Sequence, residues 1–417
     1  MSNTQKKNVP ELRFPGFEGE WEEKKVGELL EFKNGLNKGK EYFGSGSSIV
    51  NFKDVFNNRS INTNNLTGKV NVNSKELKNY SVEKGDVFFT RTSEVIGEIG
   101  YPSVILNDPE NTVFSGFVLR GRPKSGIDLI NNNFKRYVFF TNSFRKEMIT
   151  KSSMTTRALT SGTAINKMKV IYPVSAKEQK KIGDFFSKLD RQIELEEQKL
   201  ELLQQQKKGY MQKIFSQELR FKDENGNDYP EWEEKKLGEI IILQNGFAFE
   251  SSIFTKKGIP IIRITDINNS LVSAGTVYYP KNINIDDRFK IKKNDILMAM
   301  SGATAGKVGK YISDNPSLLN QRIAKFEMKY GTNSQFIFAY LNTKIFQQEL
   351  TKLLVAGAQP NISSRDVEKI SLTLPFHLEQ QKIGALNRKM EYLIEKQQFK
   401  IKNLNLRKRW LLQKLFI

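Results

Sequence analysis

The sequence predicts a mixed α/β protein with two globular domains joined by two long antiparallel coiled-coil helices. Three observations indicate this fold. Ten residues beginning at Glu20, EWEEKKVGEL, return as EWEEKKLGEI at Glu231, which indicates an internal repeat. Short β-rich apolar runs fill much of each half, and each half ends in a segment with an apolar period of 3.5 residues.

The repeat extends over the whole chain. EQKKIG at Glu178 returns as EQQKIG at Glu379, and MQKIF at Met211 returns as LQKLF at Leu412. The offset between matches is 211 residues near the start of each half and 201 residues at its end. The segment between about residues 36 and 84 has little similarity to the second half of the chain. Each half therefore has a shared frame around a middle of its own, and two similar halves predict a pseudo-two-fold arrangement.

The first part of each half has the pattern of a globular domain. It begins with Trp21 or Trp232 and continues with β-rich runs separated by Gly, Asn and Asp. An amphipathic helix pattern follows, and then a polar loop and a short strand. At roughly 150 residues, each part is long enough for its own core. The apolar positions of the helix pattern are Phe134, Tyr137, Val138, Phe144 and Met148, and then Phe336, Tyr340, Leu341, Ile345 and Leu350.

The last part of each half predicts a coiled-coil helix, with SAKE at Ser175 as a capping box for the first. Equal length and one narrow apolar stripe favour pairing of the two helices with each other, and a pseudo-dyad that crosses the pair would make them antiparallel; the alternative is that each helix packs on its own domain. The stripe continues through Lys207, Tyr210 and Ile214, and we expect the polar pair Glu196 and Gln397 to fix the register. The predicted seam is Ile182, Phe186, Leu189, Ile193, Glu196, Leu200 and Leu203, with Ile383, Met390, Ile394, Gln397, Ile401 and Leu404.

These patterns predict four segments. The first globular domain covers residues 1–175 and the first helix 176–217, while the second globular domain covers 218–375 and the second helix 376–417.

The composition favours a nucleic-acid partner. Lys and Arg total 66 against 46 Asp and Glu, which gives a net charge of +20. Such a charge predicts an acidic partner, most simply a nucleic-acid backbone; the alternative is a merely basic surface. The sequence has no cysteine, no apolar run near the ~20 residues that span a bilayer, and no apolar signal core at its beginning. We therefore expect a cytoplasmic protein.

The sequence has no recognisable active site. His377 is the single histidine, so no histidine or cysteine cluster predicts a metal site. GATAGK at Gly302 is one residue short of a phosphate-binding loop and has Val308 in place of the Ser or Thr that holds magnesium. No catalytic residue is predicted, and binding is favoured over catalysis.

The paired EWEEKK openings, the EQ-K/Q-KIG helix starts and the QK-I/L-F helix ends resemble the specificity subunit of a type I restriction–modification enzyme, over the whole chain and in order. The resemblance implies two target-recognition domains, each reading one half of a bipartite asymmetric site in double-stranded DNA, and a helix pair that acts as spacer. It also implies two docked modification (methyltransferase) subunits, with restriction (motor–nuclease) subunits joining for cleavage. It further implies that S-adenosylmethionine, ATP and Mg belong to those partners, that this chain binds none of them, and that it is not itself an enzyme.

The candidate DNA contacts are polar residues after an Asp-led strand and in the late polar loop of each half. Arg suits guanine, and Gln or Asn suits adenine, in the major groove; the alternative for each is an ordinary turn residue. A lone nuclease or methyltransferase and a coiled-coil scaffold without a DNA role are the competing functions. The candidates are Arg91, Thr92, Ser93, Thr155, Thr156, Arg157 and Thr160, and then Ser301, Thr304, Lys307, Gln359, Asn361 and Ser363.

Overall fold

The computed structural model describes residues 8–124, 128–268, 270–355 and 361–417. The chain divides into two compact units, each with its own apolar core. The first unit combines the chain up to Glu197 with Phe399–Ile417, and the second unit is Gln198–Gln398. Each unit therefore contains a globular part and a portion of both long helices. The predicted division into recognition domains and spacer helices is a different one, and it stays a prediction.

The first unit contains strands β1–β13 and helices α1–α6, followed by the long helix α7. The strands are β1 Glu22–Lys25, β2 Leu30–Asn34, β3 Phe43–Val50, β4 Ser60–Ile61, β5 Lys69–Val70, β6 Val87–Thr90, β7 Thr92–Ser93, β8 Pro102–Ile105, β9 Thr112–Phe114, β10 Val118–Pro123, β11 Ser153–Met154, β12 Ala158–Leu159 and β13 Lys169–Tyr172. The helices are α1 Val26–Leu29, α2 Phe52–Val55, α3 Ser74–Asn79, α4 Asn132–Val138, α5 Asn142–Lys151, α6 Gly162–Asn166 and α7 Ala176–Phe215.

The main sheet of the first unit has the strand order β2-β10-β6-β8-β4. Strand β6 is buried along its whole length because it has neighbours on both sides. The middle of the half, which has no match in the other half, forms a separate sheet of order β5-β3-β9. A small sheet of order β11-β12-β7 lies at the end of β6.

The second unit repeats this plan with β14–β25 and α8–α12. The strands are β14 Glu233–Lys236, β15 Ile241–Asn245, β16 Ile259–Ile262, β17 Ile267–Asn268, β18 Leu271–Val272, β19 Val277–Tyr279, β20 Lys290–Ile291, β21 Ile296–Ala299, β22 Val308–Tyr311, β23 Ser317–Leu319, β24 Ile323–Met328 and β25 Ser371–Leu374. The helices are α8 Leu237–Ile240, α9 Ser334–Leu341, α10 Lys344–Val355, α11 Ser364–Glu368 and the long helix α12 His377–Leu415.

The main sheet of the second unit has the order β15-β24-β21-β22-β18-β17, and a second sheet has the order β19-β16-β23-β20. Strand β16 pairs in parallel with β23, as β3 does with β9 in the first unit. The middles of the two halves thus form comparable sheets, although their sequences do not match.

The repeated EWEEKK stretch is a structural element in both units. Its EEKK residues form β1 and β14, which pair with β13 and β25, the last strand before each long helix. The preceding Trp21 and Trp232 are buried, with 2% and 8% of their surfaces exposed. The stretch therefore joins the beginning of each repeat to the start of its long helix.

The glutamate of the repeated EQ-K/Q-KIG motif is buried in an ion pair. Glu178 accepts hydrogen bonds from Arg13 Nε and Nη2 at 2.7 and 2.8 Å and from Trp21 Nε1 at 3.3 Å. Glu379 makes the same bonds with Arg220 and Trp232 in the second unit. The predicted capping box is half present: the Glu178 N–H donates to Ser175 Oγ at 3.4 Å, but the carboxylate turns to Arg13 and Trp21.

The glycine of the same motif permits close packing of each long helix. A Cβ on Gly183 would stand 2.6 Å from the backbone of Asn133 and Phe134, at the start of α4. A Cβ on Gly384 would stand 2.6 Å from Asn333 Oδ1, at the start of α9. The repeated motif is therefore explained by packing within each unit.

Portions of α7 and α12 run antiparallel within each unit. In the first unit, Asp190 of α7 pairs with Lys408 of α12, and Glu196 of α7 pairs with Lys400 of α12. The residue numbers rise along α7 while those of their partners fall along α12, as in an antiparallel pair. In the second unit, Lys207 Nζ lies 3.1 Å from Glu391 Oε1. Glu196 and Lys207 of the predicted seam are thus held by ion pairs between the helices.

The C-terminal end of each long helix completes the core of the unit opposite to its own repeat. Phe416 packs against Trp21, Phe134 and Phe186 in the first unit. Phe215 packs against Trp232, Phe336 and Tyr340 in the second unit. Each globular core therefore includes apolar residues from the other half of the chain.

Two details of the sequence-based description are wrong. The amphipathic pattern of each half belongs to two helices: Thr141 begins α5 by accepting a hydrogen bond from Phe144 N, and the second half is divided in the same way between α9 and α10. Near the end of α7, Met211 is 7% exposed while Tyr210 is 42% exposed. The buried face of the helix shifts by one residue there. This end of α7 packs into a globular core, so its apolar positions need not follow the 3.5-residue coiled-coil repeat.

In the described part of the chain, no helix is long and apolar enough to cross a membrane.

Candidate nucleic-acid interface

In the first unit, the two polar segments predicted to bind DNA lie side by side. The chain leaves the buried strand β6 through Arg91 and enters β7, which pairs with β12. The Thr160 N–H donates to the Arg91 carbonyl at 3.1 Å. Residues 91–93 and 153–160 therefore form one surface, which we name the first loop surface.

The tip of the first loop surface is open to solvent. Thr155, Thr156 and Arg157 are exposed in the turn between β11 and β12. Arg157 Nη2 lies 3.9 Å from Glu94 Oε1, and the two side chains are 67% and 85% exposed. An ion pair this exposed contributes little, so Arg157 can exchange it for a phosphate or a base edge at small cost.

An aromatic residue missing from the sequence-based candidates lies beside Arg91. The Arg91 N–H donates to the Phe117 carbonyl at 3.1 Å, and its Nη1 lies 3.4 Å from the Gly116 carbonyl. Phe117 is 63% exposed, because β10 begins only at the next residue. An exposed aromatic ring next to an arginine suits the stacking of a base. The turn formed by Ser115 and Gly116 was the available signal.

Two candidates of the first unit are turned inward. Ser93 is 7% exposed, and its Oγ accepts a hydrogen bond from Val95 N at 3.2 Å. Thr160 is 5% exposed, and its hydroxyl lies 3.7 Å from the sulfur of Met148. Thr92 is partly buried within β7. These side chains pack beneath the exposed residues of the loops and stabilise their conformation.

The second unit brings the matching segments together. Ser301, which follows β21, forms a bridge with Asn361, and the Ile362 N–H donates to the Met300 carbonyl at 2.8 Å. Asn361 and Lys307 are exposed, and the Lys307 N–H closes a turn on the Thr304 carbonyl at 3.0 Å. We name residues 301–307 with 361–363 the second loop surface.

Several side chains of the second loop surface have structural surroundings. Ser363 caps α11: it accepts from Asp366 N at 3.1 Å and donates to Asp366 Oδ2 at 2.6 Å. The Thr304 hydroxyl is buried and has no hydrogen-bond partner among the described residues. The candidate Gln359 lies outside the described residues.

Arg322 is the counterpart of Phe117. The Met300 N–H donates to the Arg322 carbonyl at 2.8 Å, as Arg91 does to Phe117, and Arg322 is exposed. The two loop surfaces therefore occupy the same places in the two units but present different side chains. Together with Phe117, the first loop surface has two arginines and an aromatic ring; together with Arg322, the second has an arginine, a lysine and an amide.

The predicted seam residues lie on one face of each long helix. Ile182, Phe186 and Ile193 in α7, and Ile383, Met390 and Gln397 in α12, are buried. The remaining positions, Leu189, Glu196, Leu200, Leu203, Ile394, Ile401 and Leu404, are partly buried. Ile182 and Phe186 also belong to the core of the first unit, as the alternative of packing on the globular domain proposed.

Within the described ranges, no group of three or more His, Asp or Glu side chains is placed to hold a metal ion. The buried carboxylates are bound within the frame. Asp86, for example, accepts hydrogen bonds from Arg122 Nε and Nη2 at 2.8 and 2.7 Å.

Comparison with known protein families finds a match in each half of the chain. A family described as type I restriction modification DNA specificity domain matches residues 18–205 and again residues 229–404. The repeated α/β unit with its long helix is therefore this domain, present twice. The chain belongs to the type I restriction–modification specificity subunit family.

Individual relatives agree with this assignment. The chain is 33% identical over 251 residues to the type I restriction enzyme MjaVIII specificity subunit of Methanocaldococcus jannaschii, covering 54% of this chain and 59% of that protein. It is 30% identical over 181 residues to the EcoAI specificity subunit of Escherichia coli, covering 42% of this chain and 30% of that protein. The matched regions are less than two thirds of either relative's length.

A solved structure shares the fold over nearly the whole chain. The type I restriction–modification S subunit of M. genitalium superposes with a TM-score of 0.62 at 15% identity, covering 98% of this chain and 99% of that one.

Proposed function

We propose that this chain is the DNA-specificity subunit of a type I restriction–modification complex and that each unit reads one half of a bipartite asymmetric site. The observation that carries the proposal is the contrast between frame and loops. The two units share the buried Glu178/Glu379 network and the order of the main strands, while the exposed residues of their loop surfaces differ. A common frame with different exposed side chains suits two readers of different half-sites.

The charge of the chain supports DNA as the ligand. A net charge of +20 favours binding to phosphates, and such binding weakens as salt rises because counterions are released. Arg91, Arg157 and Arg322 can donate to guanine in the major groove, and Asn361 can pair with adenine. Phe117 offers a stacking surface beside Arg91.

The paired helices act in this proposal as the spacer between half-sites. Ion pairs at Asp190–Lys408, Glu196–Lys400 and Lys207–Glu391 fix the register of α7 and α12 within the units. Two copies of one modification subunit would dock on the repeated frame. Those subunits would supply the S-adenosylmethionine chemistry, and restriction subunits would supply ATP- and Mg-dependent cleavage, so that this chain binds sites without catalysing a reaction.

The test is to map methylated adenines in a host that carries this chain and its modification subunit. Arg157→Ala should relax or weaken recognition in one half-site only, and Lys307→Ala should act only on the other half-site or uniformly on all sites if it meets phosphate. A base-reading residue is expected to contribute about 1–3 kcal/mol of discrimination at one position.

Lys180→Ala is the control, since Lys180 lies on α7, belongs to neither loop surface and pairs with Asp184. If Arg157→Ala changes both half-sites equally, or if no bipartite site is methylated, the assignment of one half-site to each unit is wrong. A coiled-coil scaffold without a DNA role predicts no methylation pattern that depends on these residues.

A further inference from the structure

Two chain segments cross closely beside the loop surface of the first unit. The Leu36 N–H donates to the Phe114 carbonyl at 2.8 Å, and the Gly116 N–H donates to the Leu36 carbonyl at 2.9 Å. We name residues 35–37 together with residues 114–117 the first crossing. It borders the first loop surface because its last residue accepts the hydrogen bond from the Arg91 N–H.

The second unit has a matching crossing. The Phe247 N–H donates to the Leu319 carbonyl at 2.8 Å, and the Gln321 N–H donates to the Phe247 carbonyl at 2.9 Å. We name residues 246–248 together with residues 319–322 the second crossing. The two crossings have the same hydrogen bonds and can therefore be compared position by position. Leu36 and Phe247 hold one pair of equivalent positions, and Phe117 and Arg322 hold another.

A glycine brings the two segments of each crossing into backbone contact. A Cβ on Gly35 would stand 2.1 Å from the Ser115 carbonyl oxygen, and a Cβ on Gly246 would stand 2.0 Å from the Asn320 carbonyl oxygen. A larger residue would push the segments apart, so the close approach requires glycine at both positions. Hydrogen bonds and backbone contact therefore hold the main chain of each crossing in place.

Each crossing presents one exposed phenylalanine, but at different positions. Phe117 is 63% exposed in the first crossing, where Leu36 is 6% exposed. Phe247 is 43% exposed in the second crossing, where the exposed Arg322 replaces the first phenylalanine. The repeat thus forms the same crossing with Leu or Arg at these positions, so the frame does not require a phenylalanine at either one.

Polar groups that suit DNA lie next to Phe117. Arg91 Nη1 lies 3.4 Å from the Gly116 carbonyl oxygen. The side chain of the exposed Asn37 also reaches this glycine, because a Cβ on Gly116 would stand 2.0 Å from Asn37 Oδ1. The ring therefore lies between an arginine and an amide, and both of these side chains can bind phosphates or base edges.

Phe247 has similar neighbours. Its ring centroid lies 5.2 Å from that of Phe289, and the guanidinium carbon of Arg288 lies 4.7 Å from the Phe289 centroid. Arg288 pairs with Asp286, but the two side chains are 61% and 54% exposed. Such a pair contributes little, so Arg288 can exchange it for a phosphate at small cost.

We propose that Phe117 and Phe247 each insert between neighbouring base pairs of the half-site that their unit reads. The proposal rests on the proposed DNA function and adds a second means of recognition to it. In a duplex, the flat faces of the bases are covered by the adjacent base pairs, so a ring can stack on a base only where a step opens. Apolar side chains inserted in this way partly unstack the step and kink the duplex.

Insertion makes the two phenylalanines specificity-determining residues without a hydrogen bond to any base. Pyrimidine–purine steps unstack at lower cost than other steps, so each ring selects a flexible step in its half-site. Because Phe117 and Phe247 occupy different positions in their crossings, the two half-sites are opened at different steps.

The test uses the modification complex of the full chain and duplexes that carry its mapped bipartite site. The fluorescent analogue 2-aminopurine replaces one purine at a time, since its emission rises when the opened step unstacks it. The natural complex should raise the emission at one step in each half-site. Phe117→Ala should abolish the rise in the first half-site only. Phe247→Leu, which installs the residue of the first crossing, should abolish it in the second half-site only.

A mismatch at the opened step gives a second measurement. It removes part of the unstacking cost, so it should favour the natural complex over the Phe117→Ala complex at least about tenfold in affinity. Tyr330→Ala is the matched control, because Tyr330 is an exposed aromatic residue that follows β24, whereas Arg322 precedes that strand. This variant should leave both emission rises unchanged.

Two outcomes would overturn the proposal while the DNA function stands. If the complex binds its site and the phenylalanine variants leave every emission rise unchanged, neither ring opens a step. If replacing thymine by uracil weakens binding as much as Phe117→Ala does, without any emission rise, the ring contacts a thymine methyl group in a closed duplex. The lack of any specific bipartite site would contradict the proposed function itself, and this inference with it.

Discussion

At the scale of single residues, buried charges hold the repeated frame. Glu178 and Glu379 have side chains that are 1% and 0% exposed, and each is bound by one arginine and one tryptophan. Removing one partner from such a pair leaves an uncompensated buried charge. The EQ-K/Q-KIG motif was visible in the sequence as a repeat. Its role was not, because Arg13 is 165 residues from Glu178 in the chain.

The first prediction concerns Glu391 and acid. Burial raises the pKa of Glu391, but the ammonium groups of Lys207 and Lys310 outweigh it, so that the pKa lies below its ordinary value. A lowered folded-state pKa stabilises the protein above the unfolded value, near 4.3, and this stabilisation is lost as the pH falls through the folded value. Glu391→Gln should therefore cost about 1–3 kcal/mol at pH 7 and less at pH 3.

Urea unfolding at both pH values measures the difference. Glu395→Gln, one turn further along the exposed side of α12, is the control and should change little at either pH. An equal cost of Glu391→Gln at pH 7 and pH 3 would show that the charge of Glu391 has no part in the stability of the second unit.

At the scale of elements, the two long helices connect the repeats through their ends as well as their seam. The apolar period of 3.5 residues predicted both helices, and the structure has them at Ala176–Phe215 and His377–Leu415. The period did not predict that Phe215 and Phe416 enter the globular cores. A sequence pattern shows which face of a helix is apolar, but it does not show whether a helix or a sheet covers that face.

The second prediction follows from these ends. Phe416→Ala should destabilise the first unit and Phe215→Ala the second unit, each by about 3–5 kcal/mol, because each leaves a cavity among aromatic rings. The ring centroid of Phe416 lies 5.2 Å from that of Phe134 and 6.2 Å from that of Trp21. The ring centroids of Phe215 and Phe336 are 5.5 Å apart.

Single-tryptophan chains make the two effects separable. Emission from Trp21 should respond to Phe416→Ala and not to Phe215→Ala, and emission from Trp232 should show the opposite preference. Phe399→Ala on the exposed side of α12 is the control. A response of Trp21 to Phe215→Ala alone would contradict the exchange of helix ends between repeats.

The candidate site was predicted in outline. The sequence identified the two polar segments of each half, and the structure places them side by side through β7 and β12 and through the bridge from Ser301 to Asn361. The sequence did not show which candidate residues are exposed and which are buried. Thr160 and Arg157 lie three residues apart in one polar loop, and only Arg157 faces solvent. Phe117 was missed because it begins the apolar run Phe117-Val118-Leu119, which has the pattern of a strand.

At the scale of the whole molecule, the central claim is that one repeated frame builds two readers. The ends of the helices give this claim a direct consequence. In a half-chain of residues 1–217, the core of the first unit lacks Phe416, but Phe215 of a second copy is its counterpart in the repeat. Lys199 and Lys207 likewise match Lys400 and Lys408, so both ion pairs with Glu196 and Asp190 can form between copies.

The half-chain should therefore be a true two-fold dimer in place of an internal repeat. Expressed with the modification subunit, it should direct methylation to the first half-site followed by its own inverted copy. Residues 218–417 should direct methylation to the other palindrome. Phe215→Ala in the half-chain is the control that should abolish dimer and methylation together.

The most direct measurement is thus a map of methylated adenines in cells that carry the half-chain 1–217 and its modification subunit. The account predicts a symmetric site built from one half of the original bipartite sequence. Methylation of the original asymmetric site, or of a lone half-site, by a folded half-chain would contradict it.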